Sequence, residues 1–166
     1  MLKNILSPSS CAKCRVCCVF DKDDIWEIPL VSDELLFYIK ENVDPEIKSE
    51  KQGSENRLVM RFKDGEELTY CPMLTETGCV LKDNKPFDCR VWPFRVNRIS
   101  DSLCGITVSP VCESVSSLPL DKLSNFLFDN SNGTSLADVM FSYAKEHPDN
   151  IKPYIESYPI LAVREM

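Results

Sequence analysis

The chain contains little histidine and little glycine. His147 is the only histidine, and there are five glycines among 166 residues. With one imidazole in the whole chain, neither a Ser-His-Asp catalytic arrangement nor a histidine-rich metal site is indicated. With so few glycines, a glycine-rich loop that cradles a phosphate or a dinucleotide is not indicated either. We interpret His147, which precedes Pro148, as a cation at the C-terminal end of a helix and not as a metal ligand.

Long hydrophobic runs are absent as well. No stretch approaches the roughly 20 apolar residues that a transmembrane helix needs. The first ten residues have only Ile5 and Leu6 as an apolar centre, which is too little for the hydrophobic region of a signal peptide. The sequence therefore predicts no membrane association and a cytoplasmic location.

Positive charge is in the minority. The chain has 19 lysines and arginines against 26 aspartates and glutamates, which gives a formal net charge of -7. Such a surface repels the phosphate backbone of nucleic acids. We therefore expect no nucleic-acid partner.

Cysteine, in contrast, is abundant. The nine cysteines are odd in number, whereas a secreted disulfide framework normally has an even number. In a reducing compartment, dense cysteines indicate metal or redox chemistry more often than disulfides. Because histidine is scarce, a metal site in this chain must be rich in thiolates, and soft sulfur ligands select zinc or iron-sulfur clusters over magnesium or calcium.

Four cysteines lie within eight residues, in the run from Cys11 to Cys18. The C-x2-C-x2-C part of this run resembles the ligand loop of a bacterial ferredoxin, in which a distant cysteine followed by proline completes a set. Cys71-Pro72 matches that distant cysteine. Cys18 departs from the ferredoxin pattern, and adjacent cysteines rarely direct both sulfurs at one metal. Cys17 and Cys18 are therefore expected to serve different ions, or one of them to be structural.

Several separated blocks resemble the CxxCxxCC family of zinc- or iron-chelating proteins. The matching blocks, in chain order, are residues 11–18, Cys71-Pro72-Met73-Leu74, Gly78-Cys79-Val80-Leu81 and the segment from Lys85-Pro86 through Cys89-Arg90 to Trp92-Pro93-Phe94. Lys85 replaces the arginine that usually precedes this proline, which keeps the positive charge. Cys104-Gly105-Ile106 is similar to a further cysteine block that some members carry. The resemblance covers roughly residues 11–106 and implies a metal centre without implying one activity.

The eight cysteines in these blocks are the predicted metal ligands. We expect them to hold an iron-sulfur cluster of the 4Fe-4S type, with zinc as the alternative. A single zinc needs four thiolates in a tetrahedron, which Cys11, Cys14, Cys79 and Cys89 would supply, whereas eight thiols would supply two centres. No role is assigned to Cys112. The predicted ligands are Cys11, Cys14, Cys17, Cys18, Cys71, Cys79, Cys89 and Cys104.

Three functions remain open from the sequence. The first is electron transfer, cluster carriage or metal chelation, with a redox or other protein partner. The second is an enzyme whose metal centre organises a substrate pocket, since a flagellin lysine N-methylase is described as bearing a similar cysteine region and would use S-adenosylmethionine. The third is an interaction protein in which zinc fixes the loops, because zinc binding supplies folding energy.

The patterns predict one α+β domain over residues 1–166. Its cysteine-rich core, residues 11–112, would contain short strands and a hairpin, and residues 113–166 would form a helical cover. Predicted helices cover residues 33–42, capped by Ser32, and about 119–128 and 150–157. Another predicted helix is capped by Thr134 or Ser135 and ends at about residue 146. Predicted strands cover 57–62 and 67–70, joined by a turn at Asp64-Gly65, and 103–108. Residues 89–96 alternate between polar or reactive and apolar side chains until Pro93, which predicts an edge strand or a bulged extension. Residues 46–56 are predicted to be a loop.

Overall fold

A computed structural model describes Leu2, residues 5–131 and residues 133–166. The predicted absence of a signal peptide concerns the first ten residues, of which residues 1, 3 and 4 lie outside this description. Both helices and strands are present, which confirms the α+β class. In the described ranges, no helix has the length and apolar character that crossing a membrane requires.

The helices and strands are short. The helices are α1 (Pro8–Cys14), α2 (Asp33–Asn42), α3 (Phe87–Val91), α4 (Glu113–Ser116), α5 (Leu120–Phe128) and α6 (Leu136–Glu146). The strands are β1 (Val19–Asp21), β2 (Leu30–Val31), β3 (Lys48–Gln52), β4 (Glu55–Val59), β5 (Leu68–Tyr70), β6 (Leu74–Thr75), β7 (Gly78–Cys79), β8 (Phe94–Arg98), β9 (Leu103–Val108), β10 (Lys152–Pro153) and β11 (Ile160–Glu165).

Leu2–Arg90 forms a compact unit, here called the N-terminal unit. It contains three small sheets, in which β1 pairs with β5, β6 pairs with β7, and β4 lies between β2 and β3. Helix α2 begins as predicted, because the Ser32 side chain accepts a hydrogen bond from the backbone N–H of Leu35 at 3.2 Å. The apolar core of the unit consists of Phe20, Ile28, Val31, Ile39, Ile47, Leu58, Met60, Met73 and Leu81.

The predicted loop at residues 46–56 is wrong. Strands β3 and β4 form an antiparallel hairpin here, and Gly53 occupies the turn with a φ of 58°. Strand β3 is polar and lies at the edge of its sheet, so it has no apolar alternation to reveal it. The predicted pairing of 57–62 with 67–70 is also wrong. Strand β4 pairs with β3 and β2, and β5 pairs with β1.

Val91–Met166 forms the second compact unit, here called the C-terminal unit. Its four-stranded sheet has the order β10-β8-β9-β11. Helices α5 and α6 and strand β9 confirm the predictions, and Ser135 caps α6 by accepting from the backbone N–H of Asp138. The predicted helix at 150–157 is wrong, because Lys152–Pro153 is a strand and Pro153 has no N–H with which to continue a helix.

Two polar side chains are buried in the sheet of the C-terminal unit. Asn97 and Thr107 both have 0% exposed surface. The Asn97 amide donates to the Pro153 carbonyl at 2.7 Å, and the Thr107 hydroxyl donates to the Asn97 side-chain oxygen at 2.6 Å. Through these bonds Asn97 links three strands of the sheet.

We expect Asn97→Ala to lower the free energy of unfolding of the C-terminal unit by about 1–3 kcal/mol, because a buried donor and a buried acceptor both lose their partner. Urea denaturation measures the change. The exposed Asn125→Ala serves as the control and is expected to stay within about 0.5 kcal/mol of the parent. An Asn97→Ala midpoint equal to that of the parent would contradict the prediction.

Candidate metal centre

The N-terminal thiols lie on two short helical turns that meet at Arg15. Helix α1 begins where the Ser7 hydroxyl accepts from the backbone N–H of Ser10 at 3.1 Å. It ends at Arg15, whose φ of 60° is left-handed and whose backbone N–H donates to the Cys11 carbonyl at 3.0 Å. A 3-10 turn, Val16–Cys18, follows immediately. The left-handed residue ends the first helix, so Cys17 and Cys18 lie on a separate turn from Cys11 and Cys14.

The Arg15 side chain ties this region to the hairpin that carries Cys79. Its guanidinium donates to the Ala12 carbonyl at 3.0 Å and to the Glu76 carbonyl at 3.3 Å. On the same hairpin, a Cβ placed on Gly78 would lie 3.6 Å from the Ala12 Cβ, which is ordinary van der Waals contact. Strand β7 therefore packs directly against α1.

Cys71 is held beside Cys18 by the backbone. Strands β1 and β5 are antiparallel with Val19 opposite Tyr70. The ladder continues one step further, because the Cys71 N–H donates to the Cys18 carbonyl at 2.8 Å. The prediction that Cys71 follows the end of a strand is confirmed, and its strand partner places it next to the cysteine run.

Cys79 and Cys89 come from two further elements. Cys79 lies opposite Leu74 in the β6–β7 hairpin. Cys89 lies in α3, so the strand predicted from residue 89 onward is wrong over its first residues, and the strand begins at Phe94. Phe87 and Val91 are 8% and 2% exposed, and residues four apart share a helix face. The apolar residues of this segment therefore follow helical spacing, and the alternation predicted from residue 89 onward is wrong for α3.

Cys18 is the centre of the electrostatic interactions among these thiols. The Cys17 and Cys18 sulfurs are 4.0 Å apart and share a hydrogen bond. This bond and the nearby Lys85 charge lower the pKa of Cys18 to about 7, against the opposing effect of burial. The same shared bond, together with burial, raises the pKa of Cys17. A hydrogen bond between two adjacent thiols favours ionisation of one of them, and the thiolate is the metal-binding form.

Four other thiols respond to the charge of Cys18. Burial, together with the charges of Cys18 and Cys79, raises the pKa of Cys71 to about 12. Burial also raises the pKa of Cys11, Cys79 and Cys89, and in each case the Cys18 charge acts in the same direction. Lys85 opposes these effects at Cys11 and Cys79. Thiols from α1, β7, α3 and the residue after β5 therefore interact electrostatically with the 3-10 turn that carries Cys17 and Cys18.

The other two predicted ligands lie differently. Cys14 is exposed on α1, and its charge acts on Cys11 alone among the shifted thiols. Cys104 is 1% exposed within β9 of the C-terminal unit, and Cys112, also buried, belongs to that unit too. His147 terminates α6, as its interpretation as a helix-end residue predicts, and its ring stacks on Tyr143 at 4.3 Å between centroids.

The donor atoms of the N-terminal unit fit a soft metal in their chemistry. Its seven cysteines supply sulfur, and the chain's one histidine lies in the C-terminal unit. Their positions do not form a ready-made ion site, since no group of three or more histidine, cysteine, aspartate or glutamate side chains in the described residues is arranged to hold a metal ion. Ligation would therefore need the thiols to move closer, and rotation about χ1 gives each sulfur three staggered positions.

Sequence reasoning noted the charge of Lys85 but missed its place at this site. The sequence signal for this role was the position of Lys85 just before Pro86 and four residues before Cys89.

Comparison with known proteins adds no further assignment, because no family model, no curated protein and no solved structure matches the chain.

Proposed function

We propose that the chain is a cysteine-ligated metal protein of the CxxCxxCC type that carries an iron-sulfur cluster. The observation that carries this proposal is the grouping of thiols from five separate segments around Cys18. The candidate ligands in this group are Cys11, Cys17, Cys18, Cys71, Cys79 and Cys89. A grouping of thiols so distant along the sequence is typical of a metal site. Two of these thiols, Cys71 and Cys79, also pack against the apolar core of the unit.

The cluster is favoured over zinc by Cys71-Pro72, which resembles the distant cysteine followed by proline of a ferredoxin set. When bound, a 4Fe-4S cluster would exchange one electron with a partner. The residues of this chain would bind and shield it. Partial burial of Cys11, Cys18, Cys71 and Cys79 limits the access of water to the sulfurs, and solvent exposure is one of the factors that set a cluster's potential. We propose electron transfer or cluster carriage with a protein partner as the resulting activity.

The compartment belongs to the same proposal. All nine cysteines are free thiols in the structure. Thiols persist in the reducing cytoplasm and tend to form disulfides in oxidising compartments. We therefore propose a cytoplasmic setting.

Anaerobic purification followed by metal and acid-labile sulfide analysis tests the function. We expect iron and sulfide in equal amounts, about four of each per chain for one 4Fe-4S cluster, with a brown charge-transfer band. Zinc without sulfide in a colourless sample would show that the thiolates hold zinc and not a cluster. Absence of both metals, after anaerobic reconstitution with iron and sulfide has also failed, would contradict the proposal.

Cys104 remains a predicted ligand, and metal analysis of a Cys104 variant tests whether it binds the metal. Cys104→Ala removes the thiol from β9 and replaces it with a small apolar side chain that suits its buried position. If Cys104 is a ligand, the metal content of this variant falls. If metal content is unchanged, Cys104 is not a ligand.

A further inference from the structure

The 3-10 turn brings the side chains of Cys17 and Cys18 into contact. Their Sγ atoms are 4.0 Å apart and share a hydrogen bond. The backbone fixes the turn at both ends, because the Cys18 N–H donates to the Arg15 carbonyl at 2.8 Å and the Val19 N–H donates to the Val16 carbonyl. In the described part of the N-terminal unit, no other two thiols share a hydrogen bond. Among those residues, Cys17 and Cys18 are thus the thiol pair that the fold has already brought together.

A bond between these two sulfurs would be accessible and strained. Both side chains are only partly buried, so a small oxidant reaches them from solvent. Their peptide bond is trans, which sets their Cα atoms about 3.8 Å apart, whereas disulfides usually join Cα atoms about 4.4–6.8 Å apart. Strained and exposed disulfides are the ones that cellular thiols reduce readily. A Cys17–Cys18 disulfide would therefore be of the reversible kind.

We propose that Cys17 and Cys18 form a redox modification site, at which a low-molecular-weight disulfide of the glutathione type oxidises the two thiols to a reversible vicinal disulfide. One cysteine thiolate attacks a sulfur of the small disulfide, which gives a mixed disulfide and releases one small thiolate. The other cysteine thiolate then attacks the cysteine sulfur of the mixed disulfide, so the Cys17–Cys18 bond forms and the second small thiolate leaves. The protein loses two electrons and two protons, and the small disulfide takes them up as two thiols.

Oxidation of the pair has a consequence for the metal, and this consequence rests on the proposed function. The thiolate is the form that binds a metal, so a vicinal disulfide removes Cys17 and Cys18 from the proposed ligands. The strand pairing beside them does not depend on these sulfurs, because the Cys71 N–H donates to the backbone carbonyl of Cys18. The oxidised protein would therefore keep its fold and lose affinity for the metal.

The sequence allows the pair to be isolated for mass spectrometry. Trypsin cleaves after Arg15 and Lys22, and the peptide of residues 16–22 contains Cys17 and Cys18 and no other cysteine. The reduced, metal-free chain is treated anaerobically with glutathione disulfide, its remaining thiols are alkylated, and the digest is analysed without reduction. We expect the main form of this peptide to carry no alkyl group and to be lighter than the dithiol by two hydrogens. Treatment with reduced glutathione before alkylation should restore the dithiol.

Other forms of the same peptide would overturn the proposal. A peptide alkylated at both cysteines would show that the pair is not oxidised. A peptide that retains glutathione, or that is linked to a peptide carrying another cysteine, would show that the two sulfurs do not react with each other. A vicinal disulfide that resists reduced glutathione would contradict its reversibility.

Two variants test whether the reaction needs both members of the pair. Cys17→Ser leaves Cys18 without its neighbouring thiol, so we expect glutathione to remain on Cys18 as a mixed disulfide. Cys14→Ser is the matched control, because Cys14 is an exposed cysteine three residues before Cys17, and the yield of vicinal disulfide should equal that of the parent. Loss of the vicinal disulfide in this control would overturn the assignment to Cys17 and Cys18 alone. Circular dichroism checks folding, and the test on the parent chain does not depend on either variant.

Zn²⁺ binding separates this inference from the function. The Zn²⁺ dissociation constants of the reduced and oxidised parent are measured by competition with a chromophoric chelator under anaerobic conditions. We expect the oxidised form to bind about 100-fold more weakly or worse, because loss of a residue that merely supports a ligand already costs 10–100-fold. If the disulfide forms and affinity is unchanged, the consequence for the metal is wrong and neither cysteine is a ligand. If the reduced chain binds Zn²⁺ and no vicinal disulfide forms, the inference fails while the thiolate centre stands.

Discussion

Cys18→Ser is expected to remove nearly all bound metal from the purified protein. The charge of Cys18 acts on Cys11, Cys17, Cys71, Cys79 and Cys89, so the substitution removes the sulfur that interacts electrostatically with all five. A serine hydroxyl is a hard, protonated oxygen and a poor ligand for metals that prefer thiolate. Because loss of a supporting residue costs 10–100-fold in affinity, we expect loss of this ligand to cost more than about 100-fold. Metal content per chain and Zn²⁺ competition measure the effect.

The backbone should tolerate this change. The hydrogen bond that holds Cys71 beside residue 18 uses the carbonyl of Cys18 and not its side chain. Cys14→Ser is the matched control, because Cys14 lies four residues earlier, is exposed and acts only on Cys11 among the shifted thiols. We expect this control to lower metal affinity by no more than a few fold. Full metal content in Cys18→Ser would exclude Cys18 as a ligand and move the centre of the site elsewhere in the thiol group.

Elements with local signals could be predicted from the sequence. The cap at Ser32 and the apolar spacing after it gave α2 its observed bounds, and Ser135 marked the start of α6 in the same way. Caps and helical periodicity involve residues within one or two turns, so a sequence shows them directly. The cysteine run and Cys71-Pro72 likewise showed which residues carry thiols.

Long-range pairings could not be predicted in this way. Strand β5 pairs with β1, about fifty residues earlier, and not with the strand just before it. This pairing places Cys71 beside Cys18, so the centre of the thiol group depends on a strand register that no local pattern records. The same holds for Arg15, whose bond to the Glu76 carbonyl joins the cysteine run to the β6–β7 hairpin. Sequence spacing identified the thiols, and tertiary structure decided which of them are neighbours.

Removing metal from the loaded protein should destabilise the thiol-bearing segments selectively. Helix α1 has seven residues and strands β6 and β7 have two each, lengths at which isolated helices and hairpins are marginal in water. A ligand present at 100 times its dissociation constant stabilises the folded form by about 2.7 kcal/mol, which corresponds to about 100-fold in local opening. We therefore expect chelation to accelerate amide hydrogen exchange by up to about 100-fold in residues 11–18 and 71–89.

The sheet of the C-terminal unit supplies the internal control for this experiment. Strands β8 and β9 are joined by their own ladder and by the buried Asn97–Thr107 hydrogen bond, and none of the six proposed ligands belongs to that unit. Exchange in Phe94–Arg98 and Leu103–Val108 should therefore be the same before and after chelation. Equal acceleration in both units would mean that metal stabilises the whole chain as one cooperative structure. Unchanged exchange in residues 11–18 and 71–89 would mean that the bound metal lies elsewhere, because an ion held by these thiols must slow the opening of the segments that carry them.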